Sequence, residues 1–139
     1  MYLARDVMTT DVFKLRADAT VGVAMTELVG RGISGAPVVE GRDELVGIIS
    51  EYQLLEAIYV PQFQSCRIRD VMSSDVITVT AESLLSDVAN LMMMHRIRRI
   101  PVVRNREVIG LIARRDLLRY VISAGETLET FLNELTAPA

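Results

Sequence analysis

The sequence predicts a mixed α+β protein built from two copies of one strand-helix-strand-strand-helix unit. Three observations carry that reading. Blocks of residues from the first half return in the same order in the second half. Between the recurring blocks, each half places apolar residues at helical spacing. Short β-branched runs, separated by polar turn residues, flank those helical stretches.

The recurrence is specific. Arg5-Asp6-Val7-Met8-Thr9-Thr10-Asp11-Val12 returns as Arg69-Asp70-Val71-Met72-Ser73-Ser74-Asp75-Val76. Ile33-Ser34-Gly35-Ala36-Pro37-Val38-Val39 returns as Ile97-Arg98-Arg99-Ile100-Pro101-Val102-Val103. After a one-residue deletion, Gly47-Ile48-Ile49-Ser50-Glu51-Tyr52-Gln53-Leu54-Leu55 returns as Gly110-Leu111-Ile112-Ala113-Arg114-Arg115-Asp116-Leu117-Leu118. About three in ten paired positions are identical, which points to duplication of a structural unit.

Each element has its own signal. Val12 to Leu15 and Val76 to Val79 read as short strands. Thr20 is placed to cap a helix whose apolar face is Val21, Ala24, Met25, Leu28 and Val29, with Gly30 and Gly32 at its C-terminal end. In the second half Ser83 is the expected cap, followed by Leu84, Leu85, Val88, Leu91 and Met92. Val38-Val39 with Leu45 to Ile49, and Val102-Val103 with Val108 to Ile112, read as hairpins around the loops Glu40 to Glu44 and Arg104 to Glu107. Closing helices are expected from Glu51 to Val60 and from Arg114 to Ala124.

The expected organisation is a first repeat over residues 1–60, a linker over 61–68, a second repeat over 69–124 and a tail over 125–139. In the tail, Leu128, Phe131, Leu132 and Leu135 fall at i, i+3, i+4 and i+7 of a short amphipathic helix. Such a helix is expected to dock on its own core or on a partner subunit.

Composition narrows the function classes. The 139 residues are 50% apolar and 24% charged, with no Trp, so the core must come from Val, Ile, Leu and Met. A formal charge of −3 argues against general polyanion binding, and nucleic acid is not the expected partner. The single cysteine, Cys66, permits no internal disulfide and suits a reducing cytoplasm. The N-terminus reads as no signal peptide, and no apolar run approaches the roughly 18 residues of a membrane helix.

The combination of D-V-M-[ST], h-P-V-V and G-h-h-[ST]-x-x-[DQ]-L-L, repeated in both halves with Ala113 at the [ST] position of the second, resembles the CBS domain family. These are cystathionine-β-synthase-type modules that occur in pairs. The resemblance runs from about residue 4 to about residue 122. It implies tandem β-α-β-β-α units packed as a pseudo-twofold pair, often a homodimer of such pairs, and a stand-alone regulatory module without catalysis. It also implies an adenosine-containing ligand such as AMP, ADP or ATP in a cleft between the units, and a separate regulated protein as partner.

The residues can be read for that chemistry. A nucleotide needs an acceptor for the ribose diol, donors for phosphate and an apolar slot for the base. Asp116 stands at the family's ribose-binding carboxylate position, and an acid early in a helix is favoured by the dipole as well. Arg98 and Arg99 stand where nucleotide-binding relatives place phosphate contacts. The backbone around Ile77, Thr78, Ile100 and Pro101 is expected to hold the base. Arg114 and Arg115 open the last helix against its dipole, a cost that a nearby anion would offset. Ala113 departs from the pattern, since the usual hydroxyl is missing. In the first repeat Ser50 keeps the hydroxyl, but Gln53 replaces the carboxylate and Ser34-Gly35 replaces the arginine pair. That site is expected to be weaker, empty or altered in ligand choice.

Other chemistry has little support. His95 is the only histidine and has no metal-ligand spacing around it. Cys66 has no partner that would activate a thiolate. Met92 to Met94 exceed one helical face and suit core and interface. No Walker loop, dinucleotide fingerprint or triad motif is present, so neither a catalytic nor a metal site is expected. The competing expectation is a dimeric interaction scaffold with empty nucleotide clefts.

Overall fold

A computed structural model of the chain describes residues 2–124 and residue 133. The contacts divide it into two units. The first contains Phe13–Val76 with Arg106–Val108, and the second contains Met1–Val12, Ile77–Asn105 and the residues from Ile109 onward. Each repeat thus gives its opening R-D-V-M motif to the unit built by the other repeat.

In the first unit the elements run β1 (Leu15–Arg16), α1 (Val21–Arg31), β2 (Gly35–Glu40), β3 (Glu44–Ser50) and α2 (Glu51–Ala57). Strand β2 lies between β1, which is parallel to it, and β3, which is antiparallel. Residues Gly35 to Val39 are all buried, as a central strand requires. Val21, Ala24 and Leu28 of α1 meet Val38, Ile49 and Leu54 in the core. The linker stretch contributes to this core. Ile68 is fully buried there, its N–H donates to the Ala19 carbonyl at 2.8 Å, and the Cys66 carbonyl accepts from Val21 N–H at 2.7 Å. Burying an isoleucine side chain of this kind stabilises by about 2 kcal/mol.

The second unit holds α3 (Leu85–His95), β4 (Arg99–Arg104), α4 (Arg114–Ala124) and most of β5 (Glu107–Ala113). Its core joins Ala4 from the N-terminal segment to Leu85, Val88, Ile100, Val102 and Ile112. Ala4 N–H donates to Ser83 O at 2.8 Å, and Leu85 N–H donates to Tyr2 O at 2.8 Å. Tyr2 also stacks edge-on against Tyr120 of α4, with centroids 5.0 Å apart. The opening turns of the two units are therefore equivalent: in each, a carbonyl from the exchanged segment satisfies the first free N–H of a helix.

The expected Thr20 cap is present, its side chain accepting from Val23 N–H at 3.2 Å, and Gly32 closes α1 at φ 65°. The second repeat differs at both ends of its helix. Leu84, not Ser83, is the N-cap of α3. Leu84 is the repeat counterpart of Thr20, and the Ser83 hydroxyl, one residue earlier, accepts from Thr80 N–H at 3.0 Å. At the C-cap, Arg96 takes the left-handed conformation at φ 53°, where the first repeat has glycine.

The two opening strands are shorter than their sequence suggests. Val76 to Val79 makes only an isolated parallel bridge, Val79 with Val102, and Val12 to Leu15 shrinks to Leu15–Arg16. Pro101 and Pro37 explain both. A parallel ladder extended toward residues 77 and 13 would need a proline N–H as donor, and proline has none. Helix α2 ends at Ala57, three residues before the expected Val60, whereas α4 spans its expected Arg114–Ala124. The expected amphipathic tail helix lies outside the described residues apart from Asn133, which is helical and exposed.

Candidate functional site

The second unit gathers the residues of the expected nucleotide site through backbone bonds. Val79 N–H donates to Pro101 O at 3.1 Å, which sets the Ile77-Thr78 stretch beside the start of β4. Arg114 N–H donates to Arg98 O at 3.0 Å, which holds the first residue of α4 against the stretch leading into β4. Ala113 N–H donates to Asp116 Oδ2 at 2.8 Å. Ile77, Thr78, Arg98, Arg99, Ile100, Pro101, Ala113, Arg115 and Asp116 all belong to this one unit. Ser50 and Gln53 belong to the other.

Chain order and the βα junction explain the convergence. Strand β5 ends at Ala113 and α4 begins at Arg114 with no loop between, so a residue in the first turn stays close to the strand end. The first repeat repeats the construction: Glu51 N–H donates to Ser34 O at 2.9 Å, and Ser50 N–H donates to Gln53 Oε1 at 2.8 Å.

Asp116 therefore has two calls on its carboxylate. Oδ2 accepts from the residue before the helix, a reciprocal cap of the kind that stabilises helix N-termini. Oδ1 lies 3.8 Å from Arg119 Nη1, whose side chain is 71% exposed, so this pair holds little energy. The Asp116 side chain keeps 19% exposure, and this weak pair is the contact that Oδ1 makes among the described residues. Arg98, Arg114 and Arg115 are exposed and form no side-chain ion pair among the described residues. Arg99 is half-buried and already engaged within the protein. Ile100 and Pro101 are buried, Ile77 is half-buried and Thr78 is exposed. The arrangement offers a carboxylate, three guanidiniums without an ion pair among the described residues, and an apolar strand start. Those groups can bind an anionic ligand with a diol.

A groove of about 510 Å³ in the same unit was not anticipated. It runs between α3 and α4 and is lined by Met92, Met93, Ile97, Leu117, Leu118 and Val121, with Arg96 and Arg114 also at its wall. Asp116 is not among its lining residues, but Arg114 lies both at its wall and in the candidate nucleotide site. The apolar excess on α4, where Leu117, Leu118 and Val121 share a side, was its legible signal. Among the described residues no three His, Cys, Asp or Glu side chains form a metal-binding group. No helix among the described residues is long and apolar enough to cross a membrane.

The tandem β-α-β-β-α architecture defines a duplicated α+β fold. The CBS domain model matches residues 4–60 and 68–123, and the chain belongs to that family. Among solved structures it is similar to AcuB from Vibrio cholerae, with a TM-score of 0.85 and 27% identity over 94% of this chain and 97% of that one. It is similar to CBSX2, solved in complex with AMP, at TM-score 0.84 and 25% identity over 90% and 99% of the two chains. It is also similar to the CBS domain pair of MJ0100, solved with 5′-methylthioadenosine and S-adenosyl-L-methionine, at TM-score 0.75 and 25% identity over 85% and 98%. The chain spans from 41% down to 14% of the length of the first four curated relatives it matches.

Proposed function

We propose that this chain is a regulatory module that binds an adenosine-containing nucleotide of the AMP, ADP or ATP class through its second unit. The observation that carries the reading is the convergence of Asp116, Arg98, Arg114 and Arg115 on one strand-to-helix junction beside buried Ile100 and Pro101. Asp116 Oδ1 accepts from the ribose diol, the exposed arginines donate to phosphate, and the backbone from Ile77 to Thr78 and at Ile100 flanks the base. No catalytic step is involved. The AMP, methylthioadenosine and S-adenosylmethionine complexes of similar pairs support the adenosine class. Binding modulates a separate protein in the cytoplasm, and the module works as a homodimer. Exposed Tyr52, Leu55 and Tyr59, on and just after α2 in the first unit, supply apolar surface for the second copy.

The test is calorimetric titration with AMP, ADP and ATP of the parent protein and of Asp116→Asn. The asparagine keeps an oxygen for the Ala113 cap but removes the charge. The expected result is binding by the parent and a loss of affinity of about tenfold or more in the variant. Equal affinity, or no binding by the parent, overturns the reading.

One observation favours a second reading, a dimeric scaffold with an empty cleft. Gln53 and Asp116 make the same 2.8 Å bond to the residue before their helices. The position serves the helix whether or not it carries charge. A nucleotide panel that leaves the melting temperature unchanged while the protein remains dimeric would select this reading.

A further inference from the structure

We infer that two copies of this chain pair crosswise, with the α2 face of each copy against the α4 face of the other. The inference rests on the homodimer reading above and adds which faces meet. It comes from comparing two helices that are repeat equivalents. After the one-residue deletion, Leu55 aligns with Leu118, Glu56 with Arg119 and Tyr59 with Ile122. The apolar members are exposed to nearly the same degree in both units. Leu55 is 61% and Leu118 62% exposed, and Tyr59 is 87% and Ile122 81% exposed. Val29 of α1, which packs beside α2, and Met93, which shares the α3–α4 groove with Leu118, extend these surfaces. Each unit therefore shows an apolar helical face that gains by being covered.

The two faces share their apolar positions and differ in the sign of the charge beside them. Helix α2 carries Glu51 and Glu56 and no base. Helix α4 carries Arg114, Arg115 and Arg119 and one acid, Asp116. Arg114 and Arg115 are assigned to phosphate in the nucleotide reading, so the pairing rests on Arg119. Glu56 is exposed and makes no ion pair among the described residues. Arg119 is 71% exposed, and its contact with Asp116 is a long 3.8 Å. Both side chains are available to a second copy. Packing α2 on the α2 of another copy would bring Glu56 toward Glu56, and α4 on α4 would bring Arg119 toward Arg119. Packing α2 on α4 covers the same apolar positions and sets unlike charges together. Like-charge repulsion selects against the two alternatives. Under a twofold axis the reciprocal contact forms as well, so each dimer holds the Glu56–Arg119 pair twice.

The experiment is sedimentation equilibrium of the full chain, without nucleotide, for the parent, Glu56→Arg, Arg119→Glu and the double variant. The parent is expected to be dimeric at micromolar concentration. Each single reversal puts like charges together at two places and is expected to weaken dimerisation about tenfold. The double variant restores both pairs with exchanged signs and is expected to lie within about threefold of the parent. Recovery in the double variant separates charge pairing from damage to either helix. A monomeric parent, as when a different protein covers these faces, overturns the homodimer reading and the inference with it. A dimeric parent whose affinity is unchanged by Glu56→Arg, the outcome for α2 on α2, overturns the crosswise arrangement and leaves the dimer standing. A double variant no tighter than its singles overturns it equally.

Discussion

Replacing Gly47 by alanine is expected to destabilise the protein far more than the matching change at Gly110. The two glycines are repeat equivalents, and each lies under the methionine of the exchanged R-D-V-M segment. A Cβ on Gly47 would stand 2.5 Å from Met72 Sδ and 2.8 Å from the Ser73 carbonyl oxygen. Met72 can swing away, but Ser73 cannot. Ser73 O accepts from Ile48 N–H at 2.8 Å, and Ser73 N–H donates to Ile48 O at 2.9 Å. Relief requires stretching that bridge, whose two hydrogen bonds contribute about 1 kcal/mol each, on top of about 1–3 kcal/mol for overpacking. A loss of about 4 kcal/mol is the central expectation. At Gly110 the three atoms nearest the new Cβ all belong to the Met8 side chain, Sδ at 2.7 Å, Cγ at 3.1 Å and Cβ at 3.3 Å. The adjoining Thr9–Leu111 bridge stays intact and the flexible thioether can move. About 1 kcal/mol is expected there. Urea denaturation of both variants, compared at a common m-value, measures the difference. A Gly47→Ala loss no larger than that of Gly110→Ala would refute the reasoning, because it would mean the Ser73 strand yields as easily as a methionine.

Three further outcomes follow from the helix ends. Arg96→Gly should raise stability by about 0.5–1 kcal/mol by relieving a left-handed non-glycine cap, seen as a higher urea midpoint. Thr20→Ala should lower stability by about 1 kcal/mol through loss of the α1 cap, measured by thermal or urea unfolding. Asp116→Ala should cost about 1 kcal/mol through loss of the α4 cap while Asp116→Asn stays within about 0.5 kcal/mol of the parent, so an equal loss in both would remove the capping role assigned to Oδ2.

Much of the fold was legible because it is written locally. Thr20, the Val21-Ala24-Leu28 face and Gly32 specify α1 with side chains a few positions apart, and the hairpins follow from β-branched runs around polar turns. What was not legible depends on distant chain. Nothing near Ser83 reports that Tyr2 O accepts from the first N–H of α3, although the repeat alignment of Leu84 with Thr20 could have placed the cap one residue later. Nothing in the R-D-V-M motif reports which repeat's core receives Ala4 or Ile68. The shortness of the opening strands could have been read from Pro37 and Pro101 by asking which N–H groups a parallel ladder needs. At the candidate site, residue types pointed to Asp116 and the arginines, but only the structure showed that Oδ2 is committed to Ala113 while Oδ1 meets exposed Arg119, and that Arg98 makes no side-chain ion pair among the described residues where Arg99 is engaged.

The central claim is that a nucleotide occupies the strand-to-helix junction of the second unit. Amide chemical-shift mapping during titration with ATP tests it most directly. The Ala113 amide donates to Asp116 and reports any change at that carboxylate. Saturable shifts concentrated at Ile77, Arg98, Ile100, Ala113 and Asp116, with the Ser50 and Gln53 amides little changed, are the result expected. Shifts centred on Ser50 and Gln53, or none at the Ala113 amide at saturation, would contradict the account.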